Sequence, residues 1–224
     1  MEPLAITARL WGRLILPTEG YVHLDALLAW AVCQVECRPP VLDSDAVPPV
    51  EIPIARSACG RYHLCSASVS TTRQREARWV NKRFPVEWWQ MLGAGPTANR
   101  IQTNAGPSKG FRFPVEAAFL EDDALRWWCV GDRTRVGELL ELVTHIGRRR
   151  AVGEGEVRAW SVEPCEPWGD GFPVLGPAGE VLRHLPHDTE GVGEHVPRIG
   201  CVTFPYWLRT EEDSILAPAP RWPC

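Results

Sequence analysis

The sequence predicts an α+β, ferredoxin-like (RRM-like, βαββαβ) fold with a basic inserted arm and an irregular C-terminal extension. Three observations predict it. The chain has 224 residues, 45% hydrophobic and 23% charged, a globular composition long enough to bury one core and carry a large insertion. Outside residues 38–112 its hydrophobic pattern runs strand, helix, strand, strand, helix, strand, the order in which helices cover one face of an antiparallel sheet. Its charge is also uneven. Against a net charge of -4, residues 56–112 hold 10 basic and 2 acidic groups.

Each element follows from local pattern. Leu4, Ile6, Ala8, Leu10, Gly12, Leu14 and Leu16 alternate with Ala5, Thr7, Arg9, Trp11, Arg13 and Ile15, the period of two of a long strand with one apolar face. After a turn at residues 17–20, Leu24, Leu27, Leu28, Ala31, Val32 and Val35 recur at helical spacing. That spacing predicts a helix from about His23 to Glu36, ended by Arg38, Pro39 and Pro40. Residues 38–50 read as a Pro- and Asp-rich loop, and Ile52–Ala55 and Tyr62–Val69 as short strands. Thr71–Phe84 has no sustained apolar period and reads as an exposed ribbon. Pro85–Leu92 reads as a short helix, and Gly93–Gly110 as a long loop.

Phe111–Leu120 and Leu125–Gly131, separated by Glu121, Asp122 and Asp123, read as a β-hairpin. Val136, Leu139, Leu140, Val143 and Ile146 mark a second helix, capped by Asp132 or Thr134 and ended by Gly147. A strand at Glu156–Glu163 completes the core, and one more is expected at Ile199–Leu208. The expected organisation is a core over 1–163, with the basic arm inserted at about 56–112. An acidic, Pro- and Gly-rich extension over 164–224 packs on that core.

Composition excludes several classes. No apolar run approaches the roughly 18 residues of a membrane span. The first 16 residues carry Glu2, Arg9 and Arg13 and lack the basic-then-apolar order of a signal peptide, so a cytoplasmic location is expected. In that compartment the eight cysteines stay reduced. Cys33, Cys37, Cys59, His63 and Cys65 lack the two-residue Cys spacing of a zinc site, so no metal is expected. No Walker loop, nucleophile elbow or dinucleotide fingerprint occurs, and no cofactor is expected. The tryptophan pairs Trp88–Trp89 and Trp127–Trp128 read as core and docking surface.

The charge distribution points to a polyanionic partner. Of the 24 cations, 22 are Arg and only Lys82 and Lys109 are Lys, and guanidinium forks suit phosphate and base stacking. In the ribbon, Arg73, Arg75, Arg78, Lys82 and Arg83 interleave with Trp79 and Phe84, cations for phosphates beside rings for bases. Lys109 and Arg112 adjoin the long loop, and Arg9 and Arg13 lie on the polar face of the first strand. Between the second helix and the last core strand stand Gly147, Arg148, Arg149, Arg150, Gly153 and Gly155. There glycines permit positive φ and close backbone approach to phosphate, while three arginines supply the charge.

These motifs carry a family resemblance. HLDALLAWAV at His23–Val32 and IGRRRAVGEGEV at Ile146–Val157 resemble the RAMP superfamily of CRISPR-associated proteins, whose hallmark is a glycine-rich loop at this position of a ferredoxin-like fold. Within it, the chain is similar over about residues 1–163 to the subunit of type IV CRISPR effector complexes that holds the 5′ end of the guide RNA. The resemblance implies a non-catalytic RNA-binding subunit. Such a subunit grips the 5′ handle of the CRISPR RNA and caps a filament of repeated backbone subunits. It meets the large subunit and reaches foreign target DNA indirectly, through the complex. Some RAMP proteins instead cut guide precursors with His as acid or base. That leaves a metal-independent endoribonuclease as the alternative, with Tyr62 and His63 as the pair to test, while His23 and His145 read as helix-end residues.

Overall fold

A computed structural model describes residues 1–17, 19–38, 50–82, 111–206 and 212–219, with side chains at 81–82, 111–113 and 151 outside that description. The fold is mixed α and β, with small sheets and few helices. β1 (Glu2–Leu10) buries Leu4, Ile6, Ala8 and Leu10 and turns the alternate residues outward, as the period of two requires. α1 (Leu24–Val35) buries Leu24, Leu27, Leu28, Ala31 and Val32. It stops before the prolines. Cys37 takes a left-handed φ of 51°, its N–H donating to Gln34 O and that of Arg38 to Cys33 O, a paired C-terminal cap that satisfies the last carbonyls.

β4 (Ala124–Gly131) and β5 (Val157–Pro164) flank β1, both antiparallel to it, in the order β4-β1-β5. Isolated bridges Cys65↔Cys129 and Val69↔Arg126 run along the other edge of β4, so the stretches expected as strands near 52–69 appear as single bridges. α2 (Arg133–Glu141) packs with α1 and β5. The Asp132 carboxylate accepts from Arg135 N at 2.9 Å, so Asp132 is the cap. Together these elements enclose the core around Trp127, Leu28, Leu140 and Ile146, each fully buried, and each such side chain contributes roughly 1.5–3 kcal/mol by leaving water.

The expected hairpin is corrected. β3 (Phe111–Leu120) and β4 are both strands, but β3 pairs with β2 (Thr72–Lys82) in a separate two-stranded sheet. Both edges of β4 are already occupied, and Glu121–Asp123 form a 3-10 turn with Asp122 and Asp123 at positive φ, so the chain changes direction without folding back. The second helix ends at Glu141 instead of near Gly147. Val143 and Ile146 stay buried beyond it, because Thr144 O accepts from Val157 N and His145 bridges Glu156, drawing the chain out to meet β5.

The C-terminal part is more regular than expected. β6 (Leu185–Pro186), β8 (Asp213–Ala217) and β7 (Val196–Gly200) form a three-stranded antiparallel sheet. The strand expected at Ile199–Leu208 is instead β7, ending at Gly200, since its partner β8 reaches only from Asp213 to Ala217. Residues 1–74 and 118–224 make one compact unit and Arg75–Ala117 a second. The predicted helix at 85–92 and loop at 93–110 lie outside the described residues. No helix among the described residues is long and apolar enough to cross a membrane.

Candidate nucleic-acid interface

The arginine-bearing loop is held at its base by backbone. Trp11 N donates to Glu156 O at 3.0 Å, Gly155 N to Arg13 O at 3.1 Å, and Arg148 N to Ile15 O at 2.7 Å. Ile146 N closes the neck onto Gly155 O at 2.8 Å. This closure explains two glycines. At Gly147 (φ 82°) a Cβ would stand 2.6 Å from Ile15 O, and at Gly155 (φ 69°) 2.0 Å from Ile146 O, so neither position admits a side chain. These glycines serve close packing of the neck, whereas Gly153, at φ 83° in open space, serves the turn.

The neck leaves the arginines outside. Arg148 and Arg150 are exposed and Arg149 half-exposed, on a 3-10 turn over Arg150–Val152 entered through a left-handed Arg149. Among the described residues neither the Arg148 nor the Arg149 side chain has an ion-pair partner. Arg150 lies over the Trp30 ring at 5.9 Å, bringing α1 into the site; helical periodicity alone assigns Trp30 no role. Arg13 turns inward, its Nε donating at 2.9 Å to Glu154, a carboxylate only 6% exposed. A buried carboxylate requires such a partner, so Arg13 anchors the loop. Arg9 is exposed, and its Nη1 donates to Asp122 O at 2.9 Å.

The ribbon is a second surface. Along β2 the alternation sets Arg73, Arg75 and Trp79 on one face and Arg78 on the other. Arg73 is exposed, Trp79 is 58% exposed, and Arg75 lies 3.7 Å from Glu116 on β3. The cations are therefore divided between two faces, an arrangement suited to straddling a strand. The side chains of Lys82 and Arg112, and Arg83, Phe84 and Lys109 altogether, lie outside the described residues.

In the Tyr62–His63 pair the histidine is buried and the tyrosine half-buried. His63 is 7% exposed, its Nδ1 stands 4.0 Å from Asp25 Oδ2, and no hydrogen bond reaches that nitrogen. Burial pushes its pKa down to about 4, against the opposing pull of Asp25 and with smaller contributions from Arg56 and Arg183. Arg183, fully buried, is the hub. It donates to the carbonyls of His63, His184 and Val202 and reaches Asp25 at 3.4 Å, with the Tyr62 ring 5.2 Å away. Tyr206 donates its hydroxyl to the same Asp25 at 2.8–2.9 Å. Among the described residues no cluster of three or more His, Cys, Asp or Glu is placed to hold a metal ion.

Residues 61–218 match the family of the CRISPR type IV associated protein Csf3. A search of curated proteins found no match.

Proposed function

The chain belongs to the Csf3 family of type IV CRISPR-associated proteins, and on that premise we propose that it is the effector-complex subunit that binds the guide RNA at its 5′ handle. In this reading it also caps the filament of repeated backbone subunits and meets the large subunit, and it performs no bond chemistry. The observation that carries the proposal is the neck-locked loop, which presents three consecutive arginines outward while its glycines and Glu154 hold it in place. Guanidinium forks of that kind pair with two phosphate oxygens at once. A RAMP-type ferredoxin-like core is part of the same proposal. It is supported by the order β4-β1-β5, the bridges from residues 65 and 69 on the outer edge of β4, and the loop's place between α2 and β5.

The test is charge reversal of Arg148, Arg149 and Arg150 to Glu in the co-expressed complex. RNA recovered with the complex is expected to fall sharply, read from the ratio of absorbance at 260 and 280 nm and from extracted RNA, with the thermal midpoint unchanged. Full RNA loading in the reversed variant would overturn the assignment. With the isolated protein, removing these charges flattens the salt dependence of single-stranded RNA binding, by about 0.7 in log–log slope for each phosphate that is no longer neutralised.

A further inference from the structure

We propose that Trp11 and Arg158 form a stacking site for an unpaired base of single-stranded RNA on the open face of the β4-β1-β5 sheet; the inference rests on the guide-RNA reading above. The geometry begins with a register shift. Arg9 pairs with Ala159 but Leu10 pairs with Val157, so Arg158 is the extra residue of a β-bulge, a device that re-aims one side chain out of the pleat. Arg158 is re-aimed over Trp11, its guanidinium carbon 4.7 Å from the ring centroid. The indole is 63% exposed. With the cation on one side, its other face meets solvent.

The surroundings fit a flat ligand. Leu10 points into the core and Trp11 away from it, onto the face shared by Ala5, Thr7 and Arg9. Across the strand pair stand Glu163, Ser161 and Ala159, all exposed. Ala5, Thr7, Ala159 and Ser161 make a floor of small side chains beside the Trp11 ring. Such a floor offers no pocket for a protein side chain, whereas a base needs only a π-face to stack on. The face is closed at the end away from Trp11, where Trp168 meets Trp128 edge-on at 5.3 Å.

Charge favours a phosphate-bearing partner. Asp122 pairs with Arg126 at 3.2 Å and Glu163 with Arg133 at 3.1 Å, so two nearby carboxylates are neutralised. Glu156, whose backbone carbonyl accepts from Trp11 N, sets one exposed carboxylate against the exposed cations Arg9 and Arg158. Trp11 is continuous with the arginine loop. The chain bonds the loop's neck at Arg13 and Ile15, and four residues span at most about 14 Å, so one strand of RNA reaches both sites. Arg158 stiffens the indole from below, a cation–π contact that also orders the ring before the base arrives.

The experiment uses the full-length protein, fluorescence anisotropy, and two 8-nucleotide probes: a labelled single-stranded RNA and a labelled abasic ribose-phosphate oligomer. Trp11→Ala is expected to weaken RNA binding roughly 5- to 150-fold while abasic binding changes less than about twofold, and Trp11→Phe to retain most of the affinity. The thermal midpoint of both variants should match the wild type, because the ring is exposed. If Trp11→Ala binds RNA like the wild type, or weakens both probes alike, the stacking site is overturned. In either case loss of binding in the Arg148–Arg150 variant leaves the guide-RNA reading standing. If the wild type binds neither probe, that reading fails and the stacking site falls with it. If Trp11→Ala keeps its RNA affinity but no longer co-purifies with a co-expressed backbone subunit, Trp11 is a protein contact and the inference is wrong.

Discussion

Arg149 is the residue where backbone and charge pull in opposite directions. Its φ of 63° and ψ of 31° lie in the left-handed region, which crowds a Cβ and costs on the order of 1 kcal/mol or more. Glycine would relieve that strain at some cost in unfolded-chain entropy. Arg149→Gly is therefore expected to leave stability unchanged or raise it by up to about 1 kcal/mol, whereas Arg149→Ala keeps the strain. Urea unfolding of the two variants checks this. On the guide-RNA reading both lose the same guanidinium and weaken RNA binding equally, which separates the residue's conformation from its charge.

At the scale of elements, pattern identifies most strands and helices, but partners come from competition for edges. The run at 124–131 is apolar whichever neighbour it takes; it joins β1 because Leu125, Trp127 and Cys129 there complete the core. α2 is legible from Val136, Leu139 and Leu140, and its start from Asp132, whose carboxylate bonds the first turn. Asp132→Ala is expected to cost about 1 kcal/mol, seen as a thermal midpoint lowered by roughly 2–4 °C for a chain of this size. Its C-terminus is not legible. Val143 and Ile146 keep the helical spacing, yet are buried by extended chain that hydrogen-bonds to 155–157.

At the scale of the molecule, a buried charge ties distant segments together. Arg183 reaches the carbonyls of residues 63 and 202 and the Asp25 carboxylate from one position in the C-terminal part. Arg183→Ala would strand Asp25 in the interior, and the expected loss is about 3–5 kcal/mol, measured by urea denaturation. The same interior predicts acid sensitivity. His63 holds a folded pKa of about 4 against about 6.5 unfolded. Above pH 6.5 both states are neutral and stability is full. As pH falls from 6.5 toward 4 the unfolded chain binds the proton first, and stability drops by on the order of 3 kcal/mol. His23 and His184, also held neutral chiefly by burial, steepen the fall, and His63→Gln should remove its own share of the slope in urea midpoints measured across that range.

What the sequence determined by itself was local and additive: the alternation of β1, the apolar stripe of α1, the Asp132 cap, and a cationic middle in an anionic chain. Each depends on neighbours within a few residues, so one-dimensional spacing carries it. The tertiary structure decided which strands share an edge, that Gly147 and Gly155 pack a neck while Arg13 serves Glu154, and that a one-residue register shift swings Arg158 over Trp11. Those outcomes join residues well beyond the reach of local spacing, from Ile146 and Gly155 at the neck to Trp11 and Arg158, where the energy depends on which surfaces meet and which polar groups lose water, and no local pattern records that.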